Sequence, residues 1–227
     1  MPYFLRFLCV LLVMPVLFSY DVEQLVRPDG TILQAFATPY DNVRQVLVSL
    51  IKCEQRSIKI ASYFLTDKVV AKALKKAQQR NVSVTIIVDH SMLTSNRPTS
   101  TLCDLAAAVD LYIFRPMSRG LMHNKFVLFE RNINNNSVTW TGSYNITMSA
   151  QDYNFENVII TNDPVVHKTY TVLFDKLLEQ STAASTIFTP INCQAVAKLI
   201  NPLPPLWWLD FSTIRTALIH NLNPWID

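Results

Sequence analysis

Hydrophobic positions along the chain follow two spacings, one typical of strands and one typical of helices. Runs rich in β-branched residues, SIKIASYFL and NVSVTIIVD, predict strands buried in a sheet. Between and before them, TDKVVAKALKKAQQR and DNVRQVLVSLIKCEQ repeat apolar residues at intervals of three and four, which predicts amphipathic helices. A further helix, LCDLAAAV, and a strand, DLYIF, follow. The first half of the chain therefore predicts a β-α-β-α-β order.

The second half predicts strands that are closer together. KFVLFE, SVTWTG and FENVIIT each have strand character, and the segment from Pro164 to Glu179 has helical spacing. The short TILQAFAT adds one more strand near the start of the chain. We therefore expect an α/β fold in which a mixed β-sheet is flanked by helices on both faces.

Composition supports a folded domain but leaves its partner open. The chain has 227 residues, of which 50% are hydrophobic and 16% charged, as expected of a globular protein with a buried core. The formal net charge of +3 is too small to choose between a nucleic acid and a lipid as partner. The four cysteines form no C-x-x-C pair and have no histidine at zinc-ligand spacing, so we predict no metal and no cofactor.

Both ends of the chain differ in pattern from the centre. Arg6 precedes an apolar run from Phe7 to Phe18, which is short for a membrane span and typical of a signal-peptide core. Residues 1–20 are therefore predicted to be a signal peptide or an uncleaved membrane anchor, and the protein to be secreted or membrane-anchored. Residues 186–227 form a hydrophobic extension, predicted to pack on the domain, on a partner subunit or on a membrane surface.

Residues with the chemistry of phosphoryl transfer lie close together in the second half. His123 and Lys125 are two residues apart, so on a strand both would point to one face, and Ser143 and Asn145 repeat that spacing. A histidine can attack phosphorus or donate a proton near neutral pH. A lysine and neutral donors can stabilise the charge that develops on the phosphoryl oxygens. Asp89 and His90 end another predicted strand and are expected to border the same cleft without reacting.

These residues resemble the signature of the phospholipase D superfamily, H-x-K-x-x-x-x-D followed by G-S-x-N. The N-F-E-N segment with Asn154, Glu156 and Asn157 extends the likeness, which covers residues 30–180. The single-motif branch of this family includes the bacterial endonuclease Nuc, exported bacterial phospholipases D and mitochondrial cardiolipin hydrolase. The resemblance implies a phospholipase D-like α-β-α sandwich, with a catalytic domain over residues 21–185.

The resemblance also assigns a role to each motif residue. It implies that His123 forms a covalent phosphohistidine, that Lys125, Ser143 and Asn145 hold the phosphate, and that Glu156 orients and charges the imidazole. His123, Lys125 and Glu156 are then the catalytic group. The remaining motif positions support the scaffold: Glu130, Gly142, Asn154 and Asn157.

Two features of the motif depart from the usual pattern. Glu130 replaces the motif's aspartate, and the stretch from Glu130 to Gly142 is lengthened by an asparagine-rich insert. Because this acid supports the scaffold in the family, we expect activity to be retained. The chain also has a single H-x-K, whereas the mechanism uses two histidines on opposite sides of one phosphorus. A symmetric homodimer, in which the second His123 completes the site, is therefore expected.

Three functions agree with this pattern. The first is a metal-independent phosphodiesterase that hydrolyses phospholipid as a phospholipase D does, with membrane association. The second is a non-specific endonuclease of the Nuc type, acting on nucleic acid through the same residues. The third is a catalytically degenerate module that binds phosphate surfaces, an alternative that rests on Glu130 and the insert.

Overall fold

A computed structural model of the chain describes residues 19–94, 100–117 and 119–186. The predicted signal peptide or anchor, apart from residues 19 and 20, lies outside these ranges, and so does the C-terminal extension from residue 187 onward. Within the described ranges, no helix combines the length and the apolar character needed to cross a membrane.

The described residues form one eight-stranded sheet with the order β1-β7-β6-β5-β2-β3-β4-β8. The strands β2, β3 and β4 run parallel, and all other neighbouring pairs are antiparallel. This confirms the predicted mixed sheet; the three-residue β8 was not predicted. The strands are β1 (Leu33–Ala37), β2 (Ser57–Ser62), β3 (Ser83–Asp89), β4 (Asp110–Phe114), β5 (Lys125–Phe129), β6 (Val138–Gly142), β7 (Asn157–Thr161) and β8 (Ser181–Ala183).

The helices begin where side chains can accept hydrogen bonds from their first turns. Asn42, Asp67 and Asp163 each accept a backbone N–H at the start of a long helix, and Pro164 occupies the first turn of the last one. The short α5 was not predicted. The helices are α1 (Val43–Cys53), α2 (Lys68–Gln79), α3 (Ser91–Thr94), α4 (Ser100–Ala106), α5 (Met148–Asp152) and α6 (Pro164–Glu179).

Both faces of the sheet are covered. On one face, Val127 and Trp140 are buried in the core that includes residues of α1, α2 and α4. On the other face, Phe126 and Leu128 pack with Phe174 of α6, and the Phe126 and Phe174 rings meet edge to face with centroids 6.4 Å apart. Successive residues of β5 thus alternate between two cores, which confirms the predicted α-β-α sandwich.

Strand directions bring six connections to one edge of the sheet. The strands β1, β2, β3, β4 and β6 end at this edge, whereas β5, β7 and β8 begin there. The segments that follow β1 and β2, join β3 to β4 and β4 to β5, join β6 to β7, and lead into β8 are therefore neighbours. We call this the active edge.

Candidate active site

His123 and Lys125 lie at the start of β5. The spacing of the two residues suggested that both lie on one strand. The strand begins at Lys125, however, so His123 lies just before it. The N–H of Tyr63 donates to the carbonyl of Asn124 at 2.9 Å, which continues the pairing of β2 and β5 past their ends. The ammonium of Lys125 donates to the carbonyl oxygen of His123 at 2.8 Å. The backbone at His123 is thus held without regular strand structure.

The ring of Tyr63 contacts both residues of the H-x-K pair. Its centroid lies 4.6 Å from that of the His123 imidazole, at an interplanar angle of 55°, and 5.2 Å from Nζ of Lys125. An ammonium at this distance from an aromatic ring is attracted to its face. Tyr63 therefore helps to orient the imidazole. The sequence marked it only as the end of a strand, because nothing local shows that β2 pairs with β5.

Lys125 is a buried cation at the active edge. Its residue is 6% exposed, and desolvation lowers the pKa of its ammonium, while the negative charge of Glu156 opposes that shift. Lys125 and Glu156 are therefore coupled electrostatically, although Glu156 lies on the connection between β6 and β7.

Ser143, Asn154, Glu156 and Asn157 form one hydrogen-bonded group. The hydroxyl of Ser143 donates to Oε2 of Glu156 and accepts the N–H of Asn157 at 3.0 Å. The amide of Asn154 donates to Oε1 of Glu156 at 3.0 Å. Within the described residues these bonds engage both oxygens of Glu156, and neither bonds to the His123 ring. The predicted role of Glu156 in orienting the imidazole stays a prediction.

Gly142 is required by a close backbone approach. A Cβ atom at this position would lie 2.0 Å from the carbonyl oxygen of Asn157. The same carbonyl accepts the N–H of Ser143 at 3.0 Å, so it cannot move without breaking that bond. Glycine therefore allows the close approach that places Ser143 within reach of Glu156.

Asn145 lies on a segment fixed to the loop after β2. The neighbouring Ile146 donates its N–H to the carbonyl of Phe64 at 3.1 Å and accepts the N–H groups of Thr66 and Asp67 at 2.9 and 3.1 Å. Oδ1 of Asn145 is buried and has no hydrogen-bond partner among the described residues. The structure thus brings Asn145 to the same edge as Tyr63, with capacity for a further polar contact.

Asp89, at the end of β3, is part of the site's support. It is fully buried, and its carboxylate accepts the N–H of Ser91 at 2.9 Å and of Met122 at 2.8 Å. His90 lies beside it, with Nδ1 3.4 Å from Oδ1 of Asp89. The strand end was predicted to border the cleft; the bond to Met122, the residue before His123, could not be read from the sequence.

Glu130 lies at the other end of β5 from His123. The strand has five residues, which corresponds to about 17 Å. The side chain of Glu130 is 42% exposed, and its carboxylate lies 3.6 Å from Nη1 of Arg56. This position is remote from the candidate chemistry.

A buried carboxylate, Glu54, anchors the asparagine-rich insert. It accepts the backbone N–H groups of Arg56, Ser57 and Arg131 at 2.8, 3.1 and 2.9 Å, and the side-chain amide of Asn132 at 3.1 Å. The sequence did not identify this residue. The insert is thus fixed at the edge of the sheet opposite His123.

Comparison with known proteins places these residues in a family. The family model described as "Cardiolipin synthase, PLD-like domain" matches residues 47–178, more than half of the chain. Mitochondrial cardiolipin hydrolase of Xenopus laevis is 32% identical over 146 residues, covering 64% of this chain and 65% of that protein, just under two thirds of its length. Phospholipase D of Rickettsia prowazekii is 30% identical over 152 residues, covering 66% of this chain and 68% of that protein.

Solved structures agree on the fold. Nuc from Salmonella typhimurium, described as a phospholipase D family member, superposes with a TM-score of 0.60 at 23% identity, covering 67% of this chain and 97% of that one. NucT from Helicobacter pylori gives a TM-score of 0.59 at 23% identity, covering 67% and 99%. At this identity the likeness concerns the fold. The family model, which matches more than half of the chain, shows that the chain belongs to the phospholipase D-like family.

Proposed function

We propose that the protein is a phosphodiesterase that hydrolyses a phospholipid in the manner of a phospholipase D, without a metal ion. One observation carries the proposal: His123 and Lys125 lie at the same edge of the sheet as the group formed by Ser143 and Glu156. The names of the relatives, phospholipase D and cardiolipin hydrolase, favour a phospholipid as substrate.

The reaction proceeds in two steps. The His123 imidazole attacks phosphorus, a phosphorus–nitrogen bond forms, and the bond from phosphorus to the alcohol oxygen breaks. Water then attacks the phosphohistidine, which releases phosphatidate and restores the imidazole. Lys125 holds the non-bridging oxygens by charge, and Ser143 and Asn145 supply neutral polar contacts.

A homodimer completes this scheme. The leaving alcohol needs a proton on the side opposite the attacking nitrogen, and a second copy's His123 is the donor that the single motif allows. His123 is exposed at the active edge, so another copy of the chain can approach it. Each dimer then has one active centre with two non-equivalent histidines.

The proposed location is extracellular or at a membrane. The apolar run from Phe7 to Phe18 supports export or tethering by the N-terminal segment. Export would bring the active edge to phospholipid outside the compartment of synthesis. Tethering would bring it to phospholipid of the membrane that holds the anchor.

An endonuclease is the second candidate, and a charged groove favours it. A groove of about 390 Å³ lies between α2 and α4, lined by Thr101, Asp104 and four lysines of α2: Lys68, Lys72, Lys75 and Lys76. Within the described residues these lysines have no ion-pair partner. Such a row could bind the phosphates of a nucleic acid strand. The third candidate, a binding module without turnover, rests on Glu130 and the asparagine-rich insert.

A substrate comparison tests the proposal. Full-length protein is incubated with EDTA and labelled phosphatidylcholine vesicles, cardiolipin vesicles or single-stranded DNA, with His123→Asn as the inactive control. We expect phosphatidate release and an alkali-stable labelled histidine in the unmutated protein. Turnover of DNA alone would replace the lipid function with the endonuclease. If no substrate is turned over and no histidine of the protein becomes labelled, only the binding module remains as the function.

A further inference from the structure

Exposed apolar side chains are concentrated at the active edge. Among the described residues, eleven large hydrophobic side chains are exposed, and seven of them lie on connections at this edge. The other four, Leu33, Ile159, Val165 and Val172, lie on β1, β7 and α6. We call the seven the apolar rim: Tyr40, Val69, Met117, Leu121, Met148, Tyr153 and Phe155.

The apolar rim extends along most of the sheet. Tyr40 follows β1, and Met117 follows β4, in the connection to β5. In the sheet, β1 and β4 are six strand spacings apart. Six spacings correspond to about 29 Å. Tyr40 and Phe155 form one end of the apolar rim, with ring centroids 6.2 Å apart and 80% and 76% of each residue exposed. His123 lies between the two ends.

Basic side chains lie among the apolar ones. Lys68 precedes Val69, and Arg115 and Arg119 flank Met117 in the chain; all three cations are exposed and lack ion-pair partners within the described residues. Two acids at this edge, Asp67 and Asp152, share one cationic partner, Arg44. Exposed aromatic and aliphatic groups beside unpaired cations match an interface of anionic lipids.

We propose that the apolar rim docks the active edge on an anionic phospholipid bilayer, so that His123 faces the headgroups. The inference rests on the proposed function and describes how the active site reaches its phospholipid substrate. The breadth of the apolar rim favours a bilayer over a second copy, since a two-fold contact that shares one active centre is built around His123. Tyr40 and Met117 are both exposed and follow strands, β1 and β4, that end at the same edge of the sheet.

A ratio of two activities tests the docking. Full-length protein is assayed on vesicles of equal parts phosphatidylcholine and phosphatidylglycerol, and on the soluble diester bis(p-nitrophenyl) phosphate. The rim variant carries Tyr40→Ser, Met117→Ser, Leu121→Ser and Met148→Ser; the matched control carries Leu33→Ser, Val165→Ser and Val172→Ser. We expect the vesicle-to-soluble rate ratio to fall by about tenfold or more in the rim variant, because apolar area no longer leaves water. The control should stay within about twofold, since its sites lie elsewhere.

Binding is measured separately by co-sedimentation with the same vesicles, each set of substitutions being placed in His123→Asn protein. Any affinity from the N-terminal segment is common to both sets, so binding is compared at a lipid concentration that does not saturate the unmutated protein. Rim variants should lose vesicle binding and controls keep it. If the unmutated protein binds vesicles through the apolar rim but hydrolyses only DNA, the proposed function fails while the docking stands.

Three results would overturn the docking. These are equal vesicle binding by rim and control variants, conversion of the rim variant to a monomer in light scattering, and a parallel loss of DNA turnover in the rim variant. The second would assign the apolar rim to the contact between copies, and the third to a nucleic acid. A smaller variant, Met117→Ser with Leu121→Ser, keeps the test valid if the larger set lowers the melting temperature.

Discussion

The carboxylate of Asp89 and the backbone N–H of Met122 are joined by a 2.8 Å hydrogen bond in the interior of the domain. Asp89 is fully buried at the end of β3, and Met122 is itself 2% exposed. Since Met122 precedes His123, this bond fixes the last residue of the long β4 to β5 connection before the proposed nucleophile. The bond therefore links the rigid sheet to the position of the imidazole.

Replacing Asp89 should impair turnover more than substrate binding. Asp89→Ala removes both acceptors, and we expect kcat to fall about tenfold or more with little change in KM, because displacement of a nucleophile acts on the reacting geometry. Asp89→Asn keeps one acceptor and should retain an intermediate kcat. Steady-state kinetics on the soluble diester measure both.

The exposed Asp110, at the start of the neighbouring β4, provides the control. Asp110→Ala should leave both constants within about twofold of the unmutated protein. A large rise in KM with unchanged kcat in Asp89→Ala would contradict the positioning role. Circular dichroism separates this effect from a loss of fold.

Tyr63 should act through its ring and not its hydroxyl. The ring contacts the imidazole of His123 and lies 5.2 Å from Nζ of Lys125. Tyr63→Phe keeps both contacts and should retain activity within about twofold, whereas Tyr63→Ala should lower kcat about tenfold. Equal losses in the two variants would indicate a role for the hydroxyl.

The sequence predicted those parts of the molecule that local pattern determines. β-branched residues predicted β3, and helical spacing predicted α6 from Pro164 to Glu179. The spacing of His123, Lys125 and Ser143 indicated the chemistry. What it could not predict were contacts between distant segments: Tyr63 against His123, and Asp89 against Met122. Those depend on which strands become neighbours.

Glu156 should control the alkaline limit of activity. Burial lowers the pKa of the Lys125 ammonium, and the charge of Glu156 raises it again. Glu156→Gln removes the anion, which disfavours protonated Lys125, so its pKa should fall further. Because charged Lys125 holds the phosphate, the alkaline limb of the kcat/KM profile should move to lower pH. Glu179→Gln, an exposed acid at the end of α6, should leave the limb unmoved. A limb that stays in place in Glu156→Gln would disprove the coupling.

Gly142 and Gly30 should respond differently to the same substitution. At Gly142 the added Cβ would lie 2.0 Å from the Asn157 carbonyl oxygen, so Gly142→Ala must displace the strand that carries Asn157. We expect a loss of about 2 to 3 kcal/mol in the free energy of unfolding, together with loss of activity. Gly30 has open space but a φ of +82°, so Gly30→Ala should cost only about 1 kcal/mol of backbone strain and keep activity. Denaturant titration and the diester assay compare the two.

Mixing active and inactive subunits tests whether one centre uses two histidines. If each dimer has a single site that needs both copies of His123, then only dimers of two unmutated subunits are active. After subunit exchange between equal amounts of unmutated and His123→Asn protein, random pairing leaves about one quarter of the dimers active. The expected activity is therefore about half of what the unmutated subunits alone provide before exchange, whereas independent sites would show no loss. Exchange with Asp110→Ala protein, which is expected to be active, controls for damage during mixing. An unchanged rate after complete exchange with His123→Asn would show that each subunit catalyses the reaction with its own histidine.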